Sequence, residues 1–406
     1  MAREIDSPYA WFRLGVAILL STIGGVGMWS VVVALPAIQA EFGLDRGGAS
    51  LPFTLTMIGF AVGGVVMGRI SDKAGIVTPV VAGASALAVG YALASVASNI
   101  VVLAVIYGAL IGLTGTATTF APLMADISHW FEKRRGIAVA LCASGNYIGG
   151  AIWPRVVEPA IAAYGWRATH LGIGVFCFCA MVPLALLLRG GGPRRAPGVA
   201  APVQRLIDPG LSPRALQLLL AVAGLSCCIA MSMPQVHIVA YCGDLGYGVA
   251  AGAEMLSLML GFGIVSRVAS GLLADRIGGM WTLLIGSAAQ MTALSFYLLT
   301  DALVPLYVVS ALFGLFQGGI VPSYALVIRE SFPASEAGGR VGVVMMMTLL
   351  GMALGGWMTG AIYDLTGSYR VAFANGVAWN GLNLAVAAFL LLRRRRAAPP
   401  SPALAI

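Results

Sequence analysis

Arg267 stands in the stretch GFGIVSRVASGLLADRIG (261–278), with only apolar or small residues around it. A guanidinium carried to the middle of a bilayer costs roughly 2.5–3.5 kcal/mol on insertion scales, so its presence there marks a function by default. No acid lies within one helical turn of it. An unpaired guanidinium in a low dielectric is an anion receptor, and its planar fork matches a carboxylate bidentately. The competing reading is an Arg paired with an acid on another helix. A second base, Arg155 in AIWPRVVEPA, is followed three residues later by Glu158, and the two are expected to pair on one helix face.

Few polar side chains are available to complete an anion site. Thr114, Thr116, Thr118 and Thr119 surround Gly115; Asn146 and Tyr147 follow Gly145; Gln317 and Tyr324 lie seven residues apart, hence on one helix face. Met28 with Trp29, and Met345 to Met347, are expected to supply an apolar wall. The expected substrate contacts are Arg267, Tyr147, Asn146, Tyr324, Gln317, Thr118, Met28 and Met346. For each of the uncharged ones, ordinary helix packing is the alternative.

These residues need elements to hold them. The chain has 406 residues, of which 59% are hydrophobic and only 10% charged. A soluble chain carries about a quarter charged residues, so this composition cannot cover a water-facing surface. Apolar runs of membrane-spanning length fall near 14–36, 50–68, 76–97, 100–124, 136–157, 168–188, 215–241, 249–272, 280–300, 303–328, 340–362 and 371–392. None alternates with period two, so the expected class is an all-α membrane protein of twelve helices. Arg3, Glu4, Asp6 and Arg13 precede a first run that lacks a cleavage pattern, which argues against a removed signal peptide. The six Cys show neither CxxC nor Cys/His metal spacing and read as small core residues; no metal or cofactor is called for.

The net charge of +8 is unevenly placed. Arg3, Arg13, Arg69, Lys73, Lys133, Arg134, Arg135, Arg189, Arg194, Arg195, Arg205, Arg214, Arg276, Arg329, Arg340 and Arg393 to Arg396 fall on one side of the membrane, Arg46, Arg155, Arg167 and Arg370 on the other. Positive charge marks the cytoplasmic face, so both termini are expected inside. This distribution accounts for the basic balance without nucleic acid. The segment 189–214 is rich in Pro, Gly and Arg and reads as a cytoplasmic linker between two bundles, 1–188 and 215–392, with a tail at 393–406.

The two bundles echo each other. GRISDKAG (68–75) follows the second run and GLLADRIG (271–278) follows the eighth. YGWR (164–167) is matched by GSYR (367–370), and Ala121-Pro122 by Val321-Pro322. Internal repeats of this kind are found in secondary transporters, with the site between the halves. Asp72 and Asp275, beside Lys73 and Arg276, sit where a carboxylate can meet the positive end of a neighbouring helix; with Arg135 they are the expected gating residues.

Twelve runs with a duplicated G-x-x-x-D-[RK]-x-G loop resemble the major facilitator superfamily over nearly the whole chain, with Ala74 and Ile76 departing from the usual basic residues. The segment around Arg267 resembles the monocarboxylate transporter branch, where an Arg of the eighth helix binds the substrate carboxylate. HWFEKRRGIAVALCASGNYIGG (129–150) resembles that branch's entry to the fifth helix, and HIVAYCGDLG (237–246) the end of the seventh in bacterial members. Gly263 stands where many animal members have an Asp one turn before the Arg. The eleventh run has no cation after Arg340, unlike the related oxalate/formate antiporter, so one cation implies one carboxylate. The resemblance implies a monomeric carrier of a small organic anion in the plasma membrane, coupled to protons. Coupling needs a group whose protonation changes between states; Asp244 and His237, then Glu254, are the candidates. An anion exchanger or a facilitator of another small solute is the alternative. An enzyme would need a nucleophile, metal cluster or phosphate loop, and the spans show none.

Overall fold

The computed structural model describes residues 5–190 and 210–397, without the side chains of Arg135, Ala334, Ser335 and 395–397. Residues 191–209 of the linker expected at 189–214 thus lie outside the described residues, as does the Arg135 side chain. All regular structure among the described residues is helical.

Ser7 caps α1 (Pro8–Gly24), accepting from the Ala10 amide, and Pro8 at the first position has no amide to leave unpaired. α2 (Val26–Phe42) continues the same run past Gly25 and stops at Gly43, a left-handed residue with φ 61°. The short α3 (Arg46–Ala49), capped by Asp45, leads into α4 (Leu51–Ala74) and then α5 (Val77–Ser95).

The fourth run does not form the single helix expected over 100–124. It is divided into α6 (Ile100–Ile106), a π-helical stretch Tyr107–Gly115, a 3-10 turn Thr116–Thr119 and α7 (Ala121–Trp130). Pro122 cannot donate to the preceding turn and its ring crowds the carbonyl there, so the helix widens and restarts. The widened stretch packs hard on α4: a Cβ on Gly59 would stand 2.1 Å from the Gly108 carbonyl, and one on Gly63 2.0 Å from the Leu113 carbonyl. Small residues are what permit backbones to approach this closely.

α8 (Arg135–Leu187) runs for 53 residues but is broken at Gly165, whose φ 77°, ψ 159° no L-residue adopts cheaply. Beyond the linker come α9 (Pro213–Asp244), α10 (Val249–Ile277), α11 (Gly279–Phe296), α12 (Leu303–Gln317), α13 (Ile320–Ser331), α14 (Ala334–Thr366) and α15 (Tyr369–Ala397). Ten helices among the described residues are long and apolar enough to cross a membrane, the 52-residue Gly136–Leu187 being one of them.

The molecule is apolar outside and partly polar within. Val62, Val65, Val101, Val105, Phe176, Leu272 and Val304 are exposed, and Ser30, Gln290, Gln317, Asn380 and Asn383 are buried. That distribution suits lipid as the surrounding solvent. One buried charge was not evident from the pattern of runs. Arg13, expected as a flanking base on the membrane surface, is 1% exposed and forms a bidentate pair with Asp126 at 2.7 and 2.8 Å. Its remaining donors reach the Leu188 carbonyl at 2.9 Å, and its guanidinium lies over Trp130.

The segments before and after the linker are joined by an ion pair and several hydrogen bonds at the end carrying Arg46. There Asp364, in the last turn of α14, accepts from the backbone amides of Arg46 and Gly47 at 2.8 and 2.7 Å. The Arg46 side chain pairs with Asp244 at the end of α9 and also donates to Gln39. Thr54 adds a hydrogen bond to the Ala353 carbonyl. At the opposite end Asp72, Lys73, Asp275 and Arg276 are all exposed, and among the described residues no hydrogen bond or ion pair joins the two segments there.

Candidate anion site

Arg267 lies on α10, facing α8. Its Nη1 donates to the Ala143 carbonyl at 2.9 Å, and its guanidinium carbon sits 4.1 Å from the centre of the Tyr147 ring. Among the described residues it has no acidic partner. Its Nε is buried and unpartnered, a deficit worth roughly 1–3 kcal/mol that an anion's oxygen would relieve. A stacked ring face and a carbonyl hold the cation without neutralising it.

Two more unmet groups lie on the elements beside it. Asn146 precedes Tyr147 on α8, and its buried Oδ1 has no partner, although its backbone carbonyl receives Trp29 Nε1 at 3.3 Å. Gln317, at the end of α12, is wholly buried with neither amide atom satisfied. The segment after it presses on α10: a Cβ on Gly318 would stand 2.3 Å from the Gly263 carbonyl. Trp29 edges Gly150 on α8, Met28 is buried beside it in the core, and Met346 on α14 is partly exposed.

Other expected contacts are engaged elsewhere. Thr118 donates to the Gly115 carbonyl at 2.8 Å and fills the space left by Gly83, so it serves the broken fourth run. Tyr324 donates to Asn383 at 2.6 Å, and Asn383 continues to Ser287 and Asn380, a buried polar cluster inside the second segment. The expected Arg155–Glu158 pair does not form: Arg155 is exposed and the two make no ion pair.

The three candidates for a proton also separate. His237 is wholly buried, with Nε2 2.8 Å from the Gly356 carbonyl and Nδ1 unpartnered. Glu254 accepts from the Tyr307 hydroxyl at 2.5 Å. Asp244 meets Arg46, which joins the two segments. The parts of this closure that sequence reasoning missed are Arg46, Gln39 and Asp364. The one available signal was that Arg46 is among the few bases on its side.

The exposed motif loops share one backbone feature. Gly75 has φ 76°, ψ 168° and Gly278 has φ 84°, ψ 161°. The closing glycine of each repeat is therefore required by the same turn, and the repeat is structural as well as written. The Arg of each YGWR and GSYR echo is paired with an acid, though not at matching positions. Arg167 pairs with Glu41 and binds the Ser95 and Ala97 carbonyls, and Arg370 pairs with Asp301.

The chain matches the family model described as Major Facilitator Superfamily over residues 17–305 and 255–405. It is 28% identical over 329 residues to Monocarboxylate transporter 13 of Bos taurus, covering 79% of this chain and 75% of that one. It is 24% identical over 388 residues to Monocarboxylate transporter 11 of Homo sapiens, covering 91% and 80%. MFS-type transporter pynF of Aspergillus niger is 28% identical over 308 residues, covering 74% and 69%. Among solved structures, a bacterial homolog to the human lysosomal transporter Spinster, inward-facing and unoccupied, superposes with TM-score 0.71 at 15% identity, covering 98% of this chain and 100% of that one. The chain belongs to the major facilitator superfamily, as a transporter resembling its monocarboxylate branch.

Proposed function

We propose that the protein carries a small monocarboxylate such as lactate or pyruvate across the plasma membrane by alternating access, in symport with a proton. The observation that carries this reading is Arg267, a cation between α8 and α10 with no acid to neutralise it and a donor left unmet. A neutral solute gives no reason to keep such a charge. The relatives named as monocarboxylate transporters favour the same class. Asn146 and Gln317 are the polar groups to complete the site, with Tyr147 under the guanidinium and Met346 as an apolar contact from α14. An exchanger of organic anions is the alternative.

The architecture in this proposal has twelve spans in two six-helix halves, 1–188 and 215–392, with both termini cytoplasmic. Breaking α8 at Gly165 gives two membrane-length helices, and the 18-residue α11 supplies the span not counted among the ten. The basic residues put the Arg46 end outside, so the described state is closed outward and unlatched inward. Asp244 is the proposed proton site. A neutral Asp244 gives up its ion pair with Arg46, so a proton arriving from outside loosens the outer closure and favours admission of solute.

The test is uptake of labelled lactate or pyruvate into proteoliposomes under an inward proton gradient. Gradient-driven uptake that is lost in Arg267→Ala supports both anion binding and symport. Uptake that survives Arg267→Ala sinks Arg267 as the receptor and moves the site to Arg155. In Asp244→Asn, uptake is expected to persist as exchange while its dependence on the proton gradient disappears; unchanged dependence excludes Asp244.

A further inference from the structure

We infer that Tyr147 is the positioning residue of the anion site, a seat that fixes which edge of Arg267 meets the carboxylate. This rests on the reading of Arg267 as the anion receptor.

The argument starts from how the guanidinium's groups are allotted. Nη1 is committed to the Ala143 carbonyl, and one face is covered by the Tyr147 ring. Nε is buried without a partner, and among the described residues Nη2 makes no hydrogen bond. Nε and Nη2 form one edge of the fork, the edge that takes a carboxylate through two parallel hydrogen bonds. Ala143 and Tyr147 are four residues apart on α8, so both anchors rise from one helix face. The cation itself belongs to α10, so the edge is presented by a contact between the two segments.

The seat exists because of a glycine. Gly263 is one turn before Arg267 on α10, and a Cβ there would stand 2.3 and 2.5 Å from Cε1 and Cδ1 of Tyr147. The ring therefore occupies the space a side chain at 263 would fill. Any larger residue at 263 displaces the ring and, with it, the guanidinium it carries. Gly261, by contrast, would place a Cβ 3.9 Å from the Ala151 side chain, an ordinary contact.

Two readouts on the full-length protein test this. The first needs no substrate: the rate at which phenylglyoxal, an arginine-selective dicarbonyl, labels Arg267, followed by peptide mass spectrometry. Tyr147→Leu and Gly263→Ala are expected to label several-fold faster than the parent. Tyr147→Phe, which keeps the ring, and Gly261→Ala, the packing control, are expected to label at the parent rate. Parent-rate labelling in Tyr147→Leu, or fast labelling in Tyr147→Phe, overturns the proposal. The second readout is pyruvate uptake, where Tyr147→Leu is expected to raise KM about tenfold with the maximal rate largely kept. The double variant Gly263→Ala/Tyr147→Leu is expected to be no worse than either single one, since both remove the same seat. An unchanged KM in Tyr147→Leu, with uptake lost in Arg267→Ala, refutes the seat and spares the receptor. Parent-like uptake in Arg267→Ala refutes the receptor itself, whatever the labelling shows.

Discussion

Arg13 and Arg267 are the same residue type held in two different ways. Arg13 has an acid, a carbonyl and a ring; among the described residues Arg267 has only the carbonyl and the ring. On the proposed reading, that difference separates a structural charge from a receptive one. Asp126→Asn leaves Arg13 buried without its countercharge and is expected to destabilise the protein by about 3–5 kcal/mol, read as a large drop in the thermal unfolding midpoint in detergent. A midpoint within a degree or two of the parent would show that the pair is not structural. Arg267 is legible in the sequence because its neighbours are all apolar or small. Arg13 is not, because it stands among the charged residues of the N-terminus and its partner is 113 positions away. The polar helpers were harder still. Asn146, Gln317, Thr118 and Tyr324 look alike along the chain, and only packing separates the unmet amides of the first two from the committed hydroxyls of the others.

At the scale of the element, the apolar runs place most helices within a few residues, because lipid imposes length and hydrophobicity together. The fourth run departs furthest, although the tenth is also interrupted, between α12 and α13. Its length and composition are those of a span, yet its backbone passes through π and 3-10 geometry before restarting. The sequence marks Gly115 and Pro122, but the extent of the break depends on the close fit against Gly59 and Gly63. The repeated loops allow a sharper prediction. Gly75→Ala and Gly278→Ala place a side chain at φ 76° and 84° and are each expected to cost about 1–3 kcal/mol. Gly68→Ala, inside α4 with nothing within 4 Å of the new Cβ, is expected to be neutral or slightly stabilising. Equal unfolding midpoints for Gly68→Ala and Gly75→Ala would remove the backbone explanation of the motif.

At the scale of the whole molecule, the two segments are held at one end by contacts 198 to 318 residues apart in sequence. No local pattern announces such pairs, so the sequence marks Asp244 as a candidate without marking its partner Arg46. Arg46→Ala removes the side-chain half of this closure. In a background with the six native cysteines replaced, a Thr54→Cys reporter is then expected to react several-fold faster with a membrane-impermeant thiol reagent. A rate equal to that of the reporter with Arg46 intact would show that the ion pair does not hold this end shut.

Asp364 behaves differently, because it grips main-chain amides rather than a side chain. It works like a locating pin. In the proposed cycle a single proton undoes the side-chain clasp, yet the pin meets whatever residues occupy positions 46 and 47 in the same place on every return. Gly360 lets α14 come close enough for the fit, since a Cβ there would stand 2.6 Å from the Arg46 carbonyl. Alignment and release are thereby divided between two carboxylates. A carrier built this way can loosen its hold in each cycle without losing its place.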